Sequence, residues 1–227
     1  MLVFLVFATT GIFTACKKSN DQKKACKILD ASINGGSDIF ISYNNDGRIS
    51  QASVGIRSIY TFSYKGDTVI VLNTDSGVFQ SRTIYANNSA GLATWQRTEY
   101  DKEGTNWNVV KYEYNGEELS KATSTNSSGG SPTVNTYTWF DHNMVSQVSG
   151  SNTILYDYYT DKPIQSGDYF SFTQLIQGAE MIRNKNLIKS VTGSTLNYAF
   201  DSDGNISSLE IVGANSVSVL NYNYQCY

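Results

Sequence analysis

Proline, histidine and basic charge are all scarce in this 227-residue chain. It contains two prolines, one histidine, and 17 Lys and Arg against 20 Asp and Glu, for a formal net charge of −3. Nucleic-acid binding needs a concentration of positive charge, so we expect no nucleic-acid partner. Charged residues make up only 16% of the chain, below the quarter that is typical of globular domains.

Tyrosine, glycine and small polar residues fill the chain instead. There are 16 tyrosines and 18 glycines, and apolar residues amount to 40%, enough for a packed core. Tyr and Thr suit half-buried pleated surfaces, whereas Asn, Gly and Ser suit tight turns. The composition therefore predicts an all-β protein.

The N-terminal segment indicates export. Residues 2–8 (LVFLVFA) are uninterruptedly apolar, but this run is far shorter than the ~20 residues that span a bilayer. Its length fits the apolar region of a secretory signal. Phe13-Thr14-Ala15-Cys16 follows and resembles the lipobox of bacterial lipoproteins, although Phe13 replaces the usual Leu and no Lys or Arg precedes the run.

The lipobox resemblance implies cleavage after Ala15 and a lipid on Cys16, which would hold the protein to a membrane. We accordingly expect a signal peptide at 1–15, a lipidated flexible tether at 16–30 and a single antiparallel β domain at 31–227. The tether assignment depends on the polar tract of residues 17–24, which is typical of a solvated linker. The expected location is the cell envelope, at the outer membrane.

Two cysteines remain if Cys16 carries lipid, namely Cys26 and Cys226. Exported proteins fold in an oxidising compartment, where an even pair often forms a disulfide. Such a bond would join the two ends of the domain. The alternative is a pair of separate buried thiols.

One local pattern recurs from residue 38 onward: an alternating strand ends in an aromatic residue, an Asn/Asp/Gly turn follows, and an apolar residue begins the next strand. The clearest copies are Tyr43-Asn44-Asn45-Asp46-Gly47-Arg48-Ile49 and Phe200-Asp201-Ser202-Asp203-Gly204-Asn205-Ile206. Successive hairpins of this kind predict an antiparallel meander of ten or more strands. Only residues 168–182 suggest a helix, and a short one. So long a meander usually curls into a barrel, a half-barrel or a two-layer sandwich.

The hairpin signature loosely resembles the YD-repeat class of β proteins. A fuller resemblance covers about the last seventy residues, where Tyr158-Tyr159-Thr160-Asp161-Lys162-Pro163 and Asn184-Lys185-Asn186-Leu187-Ile188 precede Tyr198-Ala199-Phe200-Asp201. This order is similar to lipoproteins of unknown function from Gram-negative bacteria that have a porin-like β fold. The chain departs from that family at Asn205-Ile206, where Tyr-Pro is usual. The resemblance implies a curved, barrel-like or porin-like sheet on a lipid tether, and it carries no catalytic residues.

Residues that could support chemistry are few. His142, the only histidine, stands in a turn motif, so we expect neither a Ser/His/Asp triad nor a zinc site. Asp201–Asn205 begins like a calcium loop, but its glycine comes too early and Val212 stands where a bidentate Glu is required. Adjacent carboxylates such as Glu117 and Glu118 are typical of solvated turns. We expect no cofactor, no metal and no enzymatic activity.

Tryptophans offer the one functional hypothesis. Trp95, Trp107 and Trp139 could form stacking platforms for a ligand, although aromatic residues in sheets are more often cross-strand pairs. The sequence thus favours a lipid-anchored envelope protein that binds a glycan, a peptide or an apolar molecule. The alternatives are a structural or accessory subunit of an outer-membrane complex and, third, a hydrolase.

Overall fold

The structure is a computed structural model that describes residues 26–34 and 36–227. The predicted signal peptide, Cys16 and the predicted tether up to residue 25 lie outside the described residues. No helix in the described part of the chain is long and apolar enough to cross a membrane.

Sixteen strands and one helix make up the described chain. In order they are β1 Cys26–Ile33, β2 Ile39–Tyr43, β3 Ile49–Val54, β4 Ser58–Lys65, β5 Thr68–Asp75, β6 Val78–Asn87, β7 Ala93–Glu99, β8 Trp107–Asn115, β9 Glu118–Asn126, β10 Thr133–Phe140, β11 Asn143–Ser149, β12 Asn152–Pro163, α1 Tyr169–Gln177, β13 Asn186–Val191, β14 Ser194–Phe200, β15 Ile206–Val212 and β16 Val217–Cys226.

Each strand pairs with its sequence neighbours, and β16 returns to pair with β1, which closes a 16-strand antiparallel barrel. The prediction of an all-β meander with one short helix is confirmed, and of the predicted shapes the barrel is the one observed. Closure pairs the edges that a long open meander would otherwise expose.

The repeated hairpin motif forms turns as predicted. In the β2–β3 turn the backbone N–H of Arg48 donates to Asn44 Oδ1 at 2.9 Å and to Asp46 Oδ1 at 3.0 Å. Gly47 supplies the positive φ of 84° that ends the turn. Asp201 acts in the same way in the β14–β15 turn, where it accepts from the N–H groups of Asp203 and Asn205. The turn interpretation of Asp201–Asn205 is therefore confirmed.

The seam of the barrel joins its first and last strands. Cys26 lies opposite Cys226 in the register, with a Cα–Cα distance of 4.0 Å, and the two form a disulfide. Strand β1 begins at Cys26, so the predicted boundary between tether and domain at residue 30/31 falls inside a strand. Within the described residues the barrel already includes residues 26–30, and Ile28 among them is a core residue.

The two faces of the barrel differ in polarity. Buried apolar side chains point inward, and the largest that are fully buried include Leu196, Ile206 and Leu209. The outward face carries charged cross-strand pairs, such as Lys121 with Glu113 at 2.6 Å. Strand alternation thus places the apolar core inside the barrel and polar groups outside.

Residues 164–185, which connect β12 to β13, fold across one end of the barrel; we call this segment the plug and this end the plugged end. Helix α1 begins at Asp168, whose carboxylate accepts from the N–H groups of Phe170 and Ser171. Phe172 packs edge-on against Tyr222 with ring centroids 5.0 Å apart. The plug is therefore part of the core.

The C-terminal half of the plug ties several strands together. The Gln174 side chain caps the segment, accepting from the N–H of Met181 and donating to the carbonyl of Ile182. Glu180 pairs with Leu92 at the start of β7, and Lys185 donates its N–H to the carbonyl of His142 in the β10–β11 turn. These contacts fix the plug against the start of β7 and the β10–β11 turn.

Candidate ligand-binding groove

A groove of about 540 Å³ opens at the plugged end, between the plug and three neighbouring hairpins. The hairpins are the β2–β3, β4–β5 and β6–β7 turns, and their contribution is Tyr43, Gly47, Arg48, Ile49, Tyr64, Gly66, Asp67, Val69, Asn87, Asn88, Ser89 and Gly91. The plug contributes Ile164, Ser171, Gln174, Leu175, Gly178, Ala179, Glu180 and Ile182. This size falls within the range of small-molecule sites, about 300–1,000 Å³.

The floor of the groove is apolar. It combines Ile49 and Val69 from the barrel wall with Leu175, Ala179 and Ile182 from the plug. Ile49, Val69 and Ala179 are buried and belong to the main core. Because the floor is continuous with the core, core packing holds it in place. It therefore offers a ligand a preformed apolar surface.

Two tyrosines form one wall, and their hydroxyls are already engaged. Tyr43 donates to the carbonyl of Ile28, and Tyr64 donates to the carbonyl of Ile49, each at 2.8 Å. Burial raises the pKa of Tyr43 to about 12 and also raises the pKa of Tyr64, so both phenols are neutral donors at neutral pH. The hydrogen bonds fix the rings, which therefore face the groove as rigid hydrophobic surfaces.

The charges beside the groove are largely paired. The Arg48 guanidinium lies 4.1 Å from the centroid of the Tyr64 ring and pairs with Asp46 at 2.5 Å. On the plug side, Glu180 pairs with Arg183 at 2.6 Å. The exceptions are Asp67, which lines the groove, and Lys27, whose Nζ lies 5.1 Å from the centroid of the Tyr43 ring; neither makes an ion pair with any residue that the structure describes.

Side chains that can form hydrogen bonds cluster where the β4–β5 turn approaches the β6–β7 turn. The Asn87 N–H donates to the carbonyl of Asp67 at 2.9 Å, which sets the two side chains side by side. Asn87 Oδ1 is shielded from solvent and has no hydrogen-bond partner among the described residues. Asn88 folds the turn by accepting from the N–H groups of Ala90 and Leu92. An atom that solvent does not reach is closed to a ligand as well, so Asn87 offers the groove its amide N–H groups rather than this oxygen.

A second, smaller cavity of about 200 Å³ lies beneath α1. Tyr60, Asn73, Thr83 and Tyr85 line it from the barrel wall, and Ile176 lines it from the helix. It is smaller than typical ligand sites. Of these two, the groove is therefore the better candidate.

The three tryptophans do not lie on one surface. Trp95 follows Thr94 and precedes Gln96, which accepts from the inward-facing Tyr112, so alternation turns Trp95 to the outer face. Trp107 pairs with Glu99 on that face.

Trp139 faces inward instead. It lies opposite the fully buried Met144, and its indole N–H donates to the carbonyl of Leu119 at 2.8 Å. Trp95 and Trp107 thus lie on the outer face of the barrel and Trp139 on the inner face. The three indoles therefore do not form a single stacking platform. Ligand binding by any one of them stays a prediction.

Other residues singled out in the sequence are in turns. His142 lies in the β10–β11 turn with a φ of 60°, and its ring contacts the Glu118 carboxylate at 3.1 Å. Glu117 pairs with Arg183 of the plug at 2.7 Å. These contacts hold turns to one another and to the plug.

The groove residues were not identified from the sequence as a site. Their signal was present, since Tyr43 and Tyr64 are the aromatic residues that precede two of the recurring turns. What the pattern could not reveal is which turns the plug approaches, because that depends on how residues 164–185 fold back.

Comparison with solved structures gives the same architecture. A porin-like protein from Bacteroides uniformis superposes with a TM-score of 0.63 at 16% identity, covering 87% of this chain and 98% of that one. A porin-like protein from Bacteroides vulgatus gives a TM-score of 0.57 at 13% identity, with the same coverage. No family model matches the chain, and no curated protein sequence matches it. At these identities the likeness is one of fold.

Proposed function

We propose that this protein is a non-enzymatic binding protein of the cell envelope, held to the outer membrane by lipid on Cys16, which takes a small ligand in the groove at the plugged end. The observation that carries the proposal is the groove itself. It combines an apolar floor, fixed aromatic walls and a few convergent polar groups, the combination that small-molecule sites show.

The outer surface of the barrel supports a water-facing protein. Membrane-spanning barrels present an apolar band about 25 Å tall to lipid and keep polar groups inside. Here Glu99, almost wholly covered, pairs on the outer face with Arg82 at 2.5 Å and with Arg97 at 2.9 Å. Charged groups in a lipid-facing band cost several kcal/mol each. These charges favour the lipid on Cys16, and not the barrel wall, as the membrane attachment in this proposal.

The plug also argues against a pore. A channel needs a continuous aqueous path, whereas α1 packs its Phe170, Phe172 and Leu175 side chains into the apolar interior. Gln174 and Asp168 are buried and hydrogen-bonded inside the segment. The interior at this end is a core that supports the groove.

The accessory-subunit alternative calls for a large contiguous apolar patch on the outside. The most exposed large apolar side chains in the described chain are Ile56, at 98%, and Phe140, at 75%. Ile56 lies in the β3–β4 turn, at the end away from the plug, and Phe140 borders the β10–β11 turn at the plugged end. These two side chains do not form one patch.

The experiment is an NMR screen of small apolar and polar fragments against the full mature chain carrying Cys16→Ser. We expect fragments to shift the backbone signals of Tyr64, Ser89 and Leu175. A groove-filling variant, Leu175→Trp, removes this binding, whereas Thr173→Trp, on the exposed side of the same helix, retains it. Fragment binding that is absent, or that is unaffected by Leu175→Trp, would overturn the proposal.

A further inference from the structure

We infer that the ligand of the groove is a neutral saccharide, recognised by Asp67 and Asn87 at the rim and by the tyrosine wall. This inference rests on the proposed function and adds the chemical class of the ligand. Three features of the described residues lead to it: cancelled charge, clustered hydrogen-bonding groups beside a flat apolar wall, and a barrel without a free strand edge.

Charge cancellation argues for a neutral ligand. Arg48 is committed to Asp46, with its Nε 2.8 Å from Asp46 Oδ2, and Glu180 is committed to Arg183 through both of its carboxylate oxygens. An anionic ligand would have to compete with these carboxylates for the arginines. The two unpaired charges beside the groove, Asp67 and Lys27, are opposite in sign and offset each other. A neutral ligand needs neither pair to break.

The grouping of polar side chains suits a ligand rich in hydroxyls. Asp67 is an acceptor only, Asn87 has amide donors, and Ser89 adds a hydroxyl that both donates and accepts. Adjacent hydroxyls on a sugar ring each donate and accept. An aspartate and an asparagine held side by side by the Asn87 N–H bond to Asp67 O can therefore engage two neighbouring hydroxyls.

The two wall tyrosines provide an aromatic surface on which the apolar face of a sugar ring can pack. Pyranose rings present C–H groups along one face, which pack on flat apolar surfaces. Tyr43 and Tyr64 are locked by their hydroxyl hydrogen bonds, and the Arg48 guanidinium stacks on Tyr64 as a further planar group. Preorganised surfaces of this kind bind without ordering a flexible loop.

The closed barrel argues against an extended peptide. Peptides that bind β proteins commonly add a strand to a free sheet edge. Every described strand is paired on both sides, since β1 and β16 meet at the seam. A ligand in the groove can therefore contact side chains and turn backbone, but it finds no strand edge with free backbone hydrogen-bonding groups.

The test is calorimetric titration of the full mature chain carrying Cys16→Ser. The probes are a panel of neutral disaccharides and trisaccharides of glucose, galactose, mannose, xylose and N-acetylglucosamine, with glucuronic acid and sialic acid oligosaccharides and tripeptides as competitors. We expect at least one neutral saccharide to bind and the acidic ones not to. Asp67→Asn and Asn87→Ala each weaken binding tenfold or more.

The matched control is Asp203→Asn, the same change in the exposed β14–β15 turn, which leaves the affinity unchanged. The circular dichroism spectra of Asp67→Asn and Asn87→Ala should match that of the parent, which shows that both variants are still folded. Saccharide binding that Asp67→Asn and Asn87→Ala leave intact overturns the inference, as does a preference for acidic saccharides or tripeptides. If fragments enter the groove and no saccharide binds, the saccharide inference fails and the proposed function stands; if neither binds, both fail.

Discussion

The disulfide at the barrel seam gives the most quantitative prediction. Replacing both Cys26 and Cys226 by serine removes a cross-link between residues 200 positions apart in the chain. In the chain-entropy model a loop of this length raises the free energy of the unfolded chain by about 5 kcal/mol at 25 °C. Native stabilities are about 5–15 kcal/mol, so the bond is a large part of the total.

The seam keeps other contacts when the bond is removed. Strand β1 still pairs with β16 from Lys27 to Ile33, and the Asn223 side chain still donates to Asp30 at 2.7 Å. The double serine variant therefore folds to the same barrel with a lower free energy of unfolding.

Urea unfolding followed by circular dichroism measures the difference. With a slope near 2 kcal/mol per molar urea, the midpoint falls by about 2.5 M in the variant. Reductant lowers the midpoint of the parent by the same amount and leaves the variant unchanged. Equal midpoints for parent and variant without reductant would refute the argument, because they would mean that the cross-link does not restrict the unfolded chain.

Four further substitutions test the plug, the outer face and the anchor. In Gly178→Ala the alanine must adopt a φ of 77°, and its Cβ would lie 2.6 Å from the buried Phe62 ring. We expect the free energy of unfolding, measured in urea, to fall by about 3 kcal/mol. Asp168→Ala removes the cap of α1 and costs about 1–2 kcal/mol by the same measurement, although burial raises the pKa of that carboxyl. Burial would also raise the pKa of Glu99, but hydrogen bonds from two arginines outweigh it and lower the pKa, so Glu99→Gln costs about 1–2 kcal/mol at pH 7. Because the folded pKa is the lower one, this difference is present above about pH 4.5 and disappears as the pH falls through the folded pKa; a difference that persists at pH 2 would contradict it. Cys16→Ser should move the protein from the membrane to the soluble fraction, and retention in the detergent phase would contradict the lipid anchor.

Local chemistry made the strands and turns predictable. The Tyr43 and Phe200 motifs carry an Asx residue that folds back on its own backbone and a glycine for the positive φ, so each turn is specified within a few residues. The neighbour relation of sequential strands follows from short turns. Closure was favoured by the position of Cys26 and Cys226.

The apolar pattern of β16 was harder to interpret. Val217 and Val219 have the opposite parity to Leu220, Tyr222 and Tyr224, and such a change of parity predicts a bulge or a strand buried on both faces. The strand is regular against β15, whereas its pairing with β1 shifts register between Ile28 and Asp30, and Val217 is an exposed apolar residue, 55% accessible on the outer face. Single exposed apolar residues are common on protein surfaces and need no structural explanation.

The groove depends on contacts between segments far apart in sequence. Gln174 binds Met181 and Ile182, and this local cap gives the plug its shape. Whether the plug then lies beside Tyr64 or beside another of the recurring aromatic turns is decided by core packing, with Gly178 against the Phe62 ring. Packing complementarity of this kind leaves no periodic trace in the sequence.

The most direct test of the central claim, that the groove at the plugged end is the ligand site, is to titrate one bound fragment or saccharide into three proteins. The parent and Thr173→Trp should bind with the same affinity, because Thr173 is exposed on the helix and does not line the groove. Leu175→Trp should lose binding, because the indole occupies the space above the apolar floor. Undiminished binding by Leu175→Trp, with its barrel folded by circular dichroism, would contradict the claim.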